Sequence, residues 1–281
     1  MGDLDVDTRL TGGEGRYGAV LDEDWGIWGP NGGYLGAVLL RAAGSHAALP
    51  RPASLAVQFL GRADFDTVDV HTRTTRRTRR AEAVAVAMTQ GGRPVAEAQA
   101  WFVEDGLPGL EHDVAPMPDV ARPDGLPTFD QLRAENDMPP PPFRFWENLE
   151  HRPTDWQPEW PPPGPLAPVA DTWFRFRPTA CFDDPLVDAG RLVVVLDTMG
   201  WPAATRAHAW EWPADGPPTW VAPSLDLHVR FHRFAPASAQ LFTRVESPVA
   251  TAGLLSSEGR VWAEDGTLLA SAGSQMLCTR V

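Results

Sequence analysis

A nine-residue pattern occurs twice in this 281-residue chain, and a duplication constrains the fold more than any single motif can. LAVQFLGRA, starting at Leu55, returns 172 positions later as LHVRFHRFA, starting at Leu227, with Leu, Val, Phe and Ala at the same places. A turn-and-strand unit downstream of each copy recurs as well: GGRPVAEA from Gly91 is echoed by DGTLLASA from Asp265, displaced by 174. Two matches at nearly one offset indicate a duplicated domain. The chain is expected to hold two cores of ordinary size, and its halves can be compared with each other.

Strand-like alternation dominates both halves. Residues 53–60, 68–75, 81–89 and 95–103 carry β-branched or small apolar side chains at period two, with Gly91-Gly92 as a turn between them. One segment departs from this. NGGYLGAVLLRAAGSHAAL, from Asn31, places Leu35, Val38, Leu39 and Ala42 at helical spacing, with Asn31 as N-cap and Pro50 and Pro52 ending the helix. Proline-rich residues from about 105 to 142 read as a long surface connection, and WQPEWPPPGPLAP is a second such stretch. The first half's grammar then returns, with a strand at 171–177, a helix from about 189 to 208, and strands at 225–234, 239–247, 254–263 and 268–277. These bounds divide the chain into a first domain (1–110), a connection (111–142) and a second domain (143–281).

Each half is thus one apolar helix among antiparallel strands, an α+β pattern. A curved sheet that wraps its helix buries that helix on most sides, which is the hotdog arrangement, and a tandem of two makes a double hotdog. A net charge of −13 argues against nucleic acid, which is bound through basic surfaces. Cys181 and Cys278 are too few and too far apart in sequence for a disulfide framework or a metal cluster, and the first residues lack the pattern of a signal peptide. The expectation is a cytoplasmic protein with no membrane partner and no metal. His228 and His232 do not alter it, because in a strand they lie roughly 13 Å apart, too far for one ion.

Asp and Glu are absent between Asp24 and Asp64, so the first helix carries no acid, whereas the second, GRLVVVLDTMGWPAATRAH, has Asp197 after four apolar residues. Two readings are open for Asp197. It is either a residue on the polar side of an amphipathic helix, or a buried carboxylate with a perturbed pKa that serves as a base. Five arginines, Arg73, Arg76, Arg77, Arg79 and Arg80, crowd one strand-turn-strand region, where they are either phosphate ligands or a solvated hairpin. No G-x-S-x-G nucleophile elbow is present.

PNGGYLGAVLLRAA from Pro30, DGLP at 124–127, SLDLHVRFHR from Ser224 and DGTLLAS from Asp265, in this order and spacing, resemble the double-hotdog type II acyl-CoA thioesterases and, more closely, their actinobacterial-style thioesterase-like relatives. The resemblance covers nearly the whole chain. It implies hydrolysis of an acyl-CoA thioester in fatty acid metabolism, with coenzyme A present only as part of the substrate and no cofactor, by a homo-oligomer, in the simplest case a dimer. It also implies a water held by an Asp, a Thr and a Gln. Asp197 falls on the aspartate, and Ser224 replaces the threonine with another hydroxyl. The glutamine register reaches Ser274, and its neighbour Gln275 takes the role if a bulge at Gly273 turns it inward. Backbone N–H groups of Asn31, Gly32 and Gly33 at the first helix start are candidates to bind the substrate carbonyl. In the first half Pro52 and Trp101 stand in place of Ser224 and Gln275, so the active centre is expected in the second half alone. Two other functions fit such a fold. One is an enoyl-CoA hydratase or dehydratase, since Asp184-Pro185-Leu186 resembles part of such a motif without its histidine. The other is a non-catalytic acyl-CoA or lipid-binding protein.

Overall fold

In the computed structural model, which describes residues 1–211 and 219–280, the two copies of the repeated segment lie side by side. The first half runs α1 (Leu4–Asp7), β1 (Thr11–Gly13), β2 (Arg16–Val20), α2 (Gly32–His46), β3 (Arg51–Phe59), β4 (Thr67–Arg77), β5 (Ala81–Gln90) and β6 (Arg93–Val103). A connection carrying α3 (Phe129–Glu135) leads to β7 (Leu149–Pro153), β8 (Val169–Phe176), α4 (Pro185–Thr198) and α5 (Gly200–Arg206). The chain ends with β9 (Trp220–Val221), β10 (Asp226–Phe231), β11 (Leu241–Glu246), β12 (Ala250–Thr251), β13 (Leu254–Ala263), β14 (Leu268–Leu277) and β15 (Thr279–Arg280).

Thirteen strands form one antiparallel sheet in the order β1-β2-β4-β5-β6-β3-β10-β14-β13-β11-β8-β7, with β12 attached to β13, while β9 and β15 make a separate ribbon. The repeated strands are its seam. β3 and β10 pair as Leu55↔Val229, Ala56↔His228 and Val57↔Leu227, so equivalent residues exchange places across a local two-fold at Ala56↔His228. A duplicated half buries the edge strand of its copy in this way, which removes an edge that would otherwise stay unpaired.

α2 and α4 lie under the sheet and pack against each other antiparallel. Gly33 meets Val194, Gly36 meets Val193, Ala37 meets Gly190 and Gly44 meets Leu186. At Gly33 a Cβ would stand 2.6 Å from the Val194 Cα, so only glycine permits this approach. Val193, Val194 and Val195 are fully buried, as are Val38, Leu39 and Leu40 of α2. The tandem hotdog arrangement is therefore realised, with two sheet-wrapped helices sharing one core.

Several local expectations are corrected. The second helix starts earlier than 189, because Asp184 caps it and Pro185 occupies its first turn. It also breaks near Met199 into two helices, since Pro202 has no N–H to offer the Thr198 carbonyl. The glycine-rich β1 and β2 and the polar β7 show little apolar alternation and escape the sequence reading. The connection does not merely cross the surface. Trp173 and Trp262 donate their indole N–H groups to the Ala121 and Ala115 carbonyls at 3.0 and 3.1 Å, strapping it over the outer face of the second half. Among the described residues no helix is long and apolar enough to cross a membrane.

Candidate active site

The start of α2 is held rigidly by contacts within the first half. Asn31 accepts the Tyr34 N–H through its side chain at 3.0 Å and donates its own backbone N–H to the Trp25 carbonyl at 2.9 Å. Tyr34 stacks on Trp25 with centroids 5.4 Å apart, and its hydroxyl donates to the Asp7 carbonyl at 2.7 Å. The free N–H groups of this helix start are thereby aimed at one place.

The end of α4 lies in that place. Asp197 accepts the Gly33 backbone N–H at 2.8 Å and the Asn31 amide at 3.4 Å on Oδ2, and the Ser224 hydroxyl at 3.0 Å on Oδ1. The same Asn31 amide donates to Thr198 Oγ1 at 3.3 Å. Asp197 is partly accessible while its neighbours Leu196 and Thr198 are buried. Burial pushes its carboxyl above the usual carboxylate range, against the hydrogen bonds from Ser224, Gly33 and Asn31, which pull it down. Its own helix end is electronegative and disfavours the charge; the start of α2 is electropositive and favours it. The result is a carboxylate held in place by three donors yet still basic enough to take a proton.

Five of the six expected site residues converge here: Asp197, Ser224, Asn31, Gly32 and Gly33. The centre is not confined to the second half, as expected, because Asn31 and Gly33 come from the first. Asn31 and Gly33 lose their expected role at the carbonyl, since their backbone N–H groups are committed to the Trp25 carbonyl and to Asp197. Gly32 keeps its N–H without a protein acceptor among the described residues, and a Cβ there would stand 2.9 Å from both Asp197 Oδ2 and Phe59 Cζ.

Gln275 is not brought in by the proposed route. β14 pairs with β13 without a shift at Gly273, from Leu254↔Leu277 to Val261↔Ala270. Alternation then sets Ser274 on the face of buried Ala272 and Met276, and Gln275 on the other. The irregularity lies across the ladder instead. Ser224 bridges Met276 while His228 pairs with Gly273, which leaves one extra residue on the Ser224 side. Asp226 fills the gap, accepting the Gln275 N–H on Oδ1 at 2.8 Å and the Ser274 hydroxyl on its carbonyl at 2.7 Å. That slip is what turns Ser224 toward Asp197.

Two family models match the chain, the acyl-CoA thioesterase N-terminal domain over residues 21–103 and the acyl-CoA thioesterase C-terminal domain over residues 123–277. The chain belongs to the acyl-CoA thioesterase family. This thioesterase is a thioester hydrolase, and its fold is similar to the acyl-CoA thioesterase II TesB2 of Mycobacterium marinum (TM-score 0.79, 22% identity, 99% of each chain covered). The tesB protein of Mycobacterium avium subsp. paratuberculosis (TM-score 0.77, 20% identity, 98% of each chain) and a hotdog-fold protein of unknown function from Alicyclobacillus acidocaldarius (0.80, 22%, 99% of this chain and 98% of that one) are similar too. None of the curated proteins compared matches this thioesterase. The dehydratase domain of PpsC from Mycobacterium tuberculosis is far more distant, at a TM-score of 0.51 and 12% identity. The Asp184-Pro185-Leu186 stretch likewise has a structural use, because Asp184 caps α4 through the Leu186 N–H at 2.8 Å.

Sequence reasoning missed Thr198 and the crossing of the Gly33 N–H between halves. Only the alternation of glycines in α2 against valines in α4 hinted at so close a helix contact. The arginine cluster is remote from the acid. Arg77 is tied to buried Glu82, which also accepts the Ala48 N–H just beyond the far end of α2, about 22 Å from the Asn31 end by helix rise.

Proposed function

We propose that Asp197 is the general base of a metal-free acyl-CoA hydrolysis, assisted by Ser224 and by the start of α2. The observation that carries this reading is the Asp197 carboxylate bridging the halves, with Gly33 N–H on one oxygen and Ser224 Oγ on the other. Oδ1, which accepts only the Ser224 hydroxyl, keeps a lone pair for a water. Ser224, having donated its proton to Asp197, has acceptor capacity left to orient the same water. The water attacks the thioester carbonyl, its proton passes to Asp197, and the developing oxyanion accepts the unspent Gly32 N–H at the electropositive helix start. Collapse breaks the C–S bond, and the proton held by Asp197 goes to the departing thiolate or to solvent, which restores the base.

The same reading extends to a cytoplasmic role in fatty acid metabolism and to self-association. Cys181 and Cys278 are both free, in keeping with a reducing compartment. Among the described residues, the outer sheet face of the first half, unlike that of the second, has no strap. It carries a shallow depression of about 670 Å³ lined by small and polar side chains such as Ala56, Ala85, Ala87 and Gln99, a surface suited to a second copy.

Thiol release from a series of acyl-CoA esters, measured on the wild type and on Asp197→Asn, tests the reading. Turnover that survives the substitution overturns it.

A further inference from the structure

Just before α2 the chain makes a tight turn. Gly26 bridges Pro30, and the Ile27 N–H donates to the Gly29 carbonyl at 2.9 Å. Trp28 stands at its tip, 37% exposed, edge-on to Trp201 of α5 at 6.3 Å and to Phe143 at 6.4 Å. Two residues after Gly29 comes Asn31, whose amide contacts Asp197, so the turn and the catalytic carboxylate are separated by only about 7 Å of backbone. This turn therefore lies beside the partly accessible Asp197.

Arg62 lies along that turn. Its Nε, Cγ and Cδ are 3.1, 3.4 and 3.7 Å from the point where a Cβ on Gly29 would sit, so the absence of a side chain at Gly29 is what lets the arginine fold over the turn. It is exposed, and it makes no salt bridge or side-chain hydrogen bond among the described residues. The carboxylates nearby are already engaged. Asp64 pairs with Arg93 at 3.8 Å, and Glu23 and Asp24 share Arg144 at 3.5 and 3.4 Å. An uncommitted guanidinium beside the site is conspicuous in a chain of net charge −13, whose general field repels anions.

We infer that Arg62 binds a phosphate of the coenzyme A part of the substrate, while the pantetheine arm runs past Trp28 to place the thioester at Asp197. The inference rests on the thioesterase reading above and deepens it, since it makes the phosphate-bearing carrier, rather than the acyl group alone, a determinant of recognition. Guanidinium donors match phosphate oxygens in pairs, which a lysine cannot reproduce. The crowded arginines from Arg73 to Arg80 do not compete for the role, because they gather at the opposite end of α2.

The test compares two thioesters of the same acyl group, one on coenzyme A and one on pantetheine, which has no phosphate. Arg62→Ala raises KM for the coenzyme A ester about tenfold or more, the scale of a lost charged hydrogen bond, with kcat within about twofold. It leaves kcat/KM for the pantetheine ester unchanged, and Arg62→Lys recovers only part of the loss. A combined Arg76→Ala, Arg79→Ala and Arg80→Ala variant keeps the wild-type KM. An equal effect of Arg62→Ala on both esters, or no effect on either, overturns the inference. Calorimetric titration with free coenzyme A and with pantetheine reads the same difference without turnover. A wild type that binds coenzyme A through Arg62 yet hydrolyses no thioester would fail the reading of Asp197 and leave Arg62 standing.

Discussion

At one end of the α2–α4 pair the start of α2 lies against the end of α4, and at the other end the start of α4 lies against the end of α2. Both starts are capped by a side chain, Asn31 for α2 and Asp184 for α4. Their contents differ completely. At the first, Gly32 and Gly33 leave room for the Asp197 carboxylate; at the second, the Leu186 methyls stand 2.4 Å from where a Cβ on Gly44 would be, and the helix contact there is apolar. The caps account for this. Asp184 is itself a negative charge at a helix start, further tied to Arg41 at 3.5 Å, so the dipole of α4 is already complemented. Asn31 is neutral, and the dipole of α2 is left for an acid from the other helix. A duplicated frame thus acquires an acid from one helix at the start of the other, at one junction and not its counterpart, through the choice of one cap and one opposing residue.

Removing the acid breaks the contrast most severely. Asp197→Asn is expected to lower kcat by about a hundredfold or more, the scale of losing a general base. Stability should move the other way. Because its carboxyl titrates above the usual range in the folded protein, the folded state holds the proton more tightly than the unfolded one between the two pKa values. Stability then falls as pH rises through that window, as the buried group gives up its proton. The Asn variant should melt at or above the wild-type Tm at pH 7, with the difference fading in acid. A Tm lowered by several degrees would make Asp197 a structural residue. In the wild type, the acid limb of kcat/KM should lie above the ordinary carboxylate range.

The two junctions also differ in how they tolerate a methyl group. Gly33→Ala sets its Cβ against the Val194 backbone and should destabilise by about 1–3 kcal/mol, with activity lost as the helices part. Gly44→Ala meets only the ends of the Leu186 side chain, which can rotate, and gains about 1 kcal/mol of helix propensity, so its net change should be small. Urea denaturation of both variants decides the matter, and equal losses would mean that the second junction is as tightly packed as the first. A smaller effect is expected at the hydroxyl. Ser224→Ala should cost about tenfold in kcat and move the acid limb upward, because a hydrogen bond that favours the ionised form is lost, while Ser224→Thr stays near wild type. A Thr variant as impaired as the Ala variant would remove the hydroxyl from the mechanism.

How much of this was legible in the sequence depends on the range of the interaction. Period-two alternation located β13 and β14 to the residue, because a half-buried strand writes its pairing into its own side chains. The repeat announced the seam between β3 and β10 without stating that the copies pair with each other. Asp197 stood out because an acid inside a run of valines is locally costly. The Gly33 N–H on Asp197 was not legible, since it joins positions 164 apart through the packing of two helices. The slip beside Ser224 was misplaced to Gly273 for a related reason. A bulge is a property of two strands, and a glycine in one of them shows only where it would be tolerated.

The smallest expected effect tests that misplacement. β14 holds its register against β13 through Ser256↔Gln275 and Ser257↔Ser274, and Ser257 is buried while Ser256 is not. Gln275 therefore shares a face with Gly273, which pairs with exposed His228. Its backbone N–H, rather than its side chain, is what Asp226 engages, and that bond survives truncation. Gln275→Ala is accordingly expected to change kcat by less than about twofold, within the small range of surface substitutions away from special features. A loss equal to that of Ser224→Ala would require the side chain to reach the inner face during turnover, and hence a strand β14 that shifts by one residue when substrate binds.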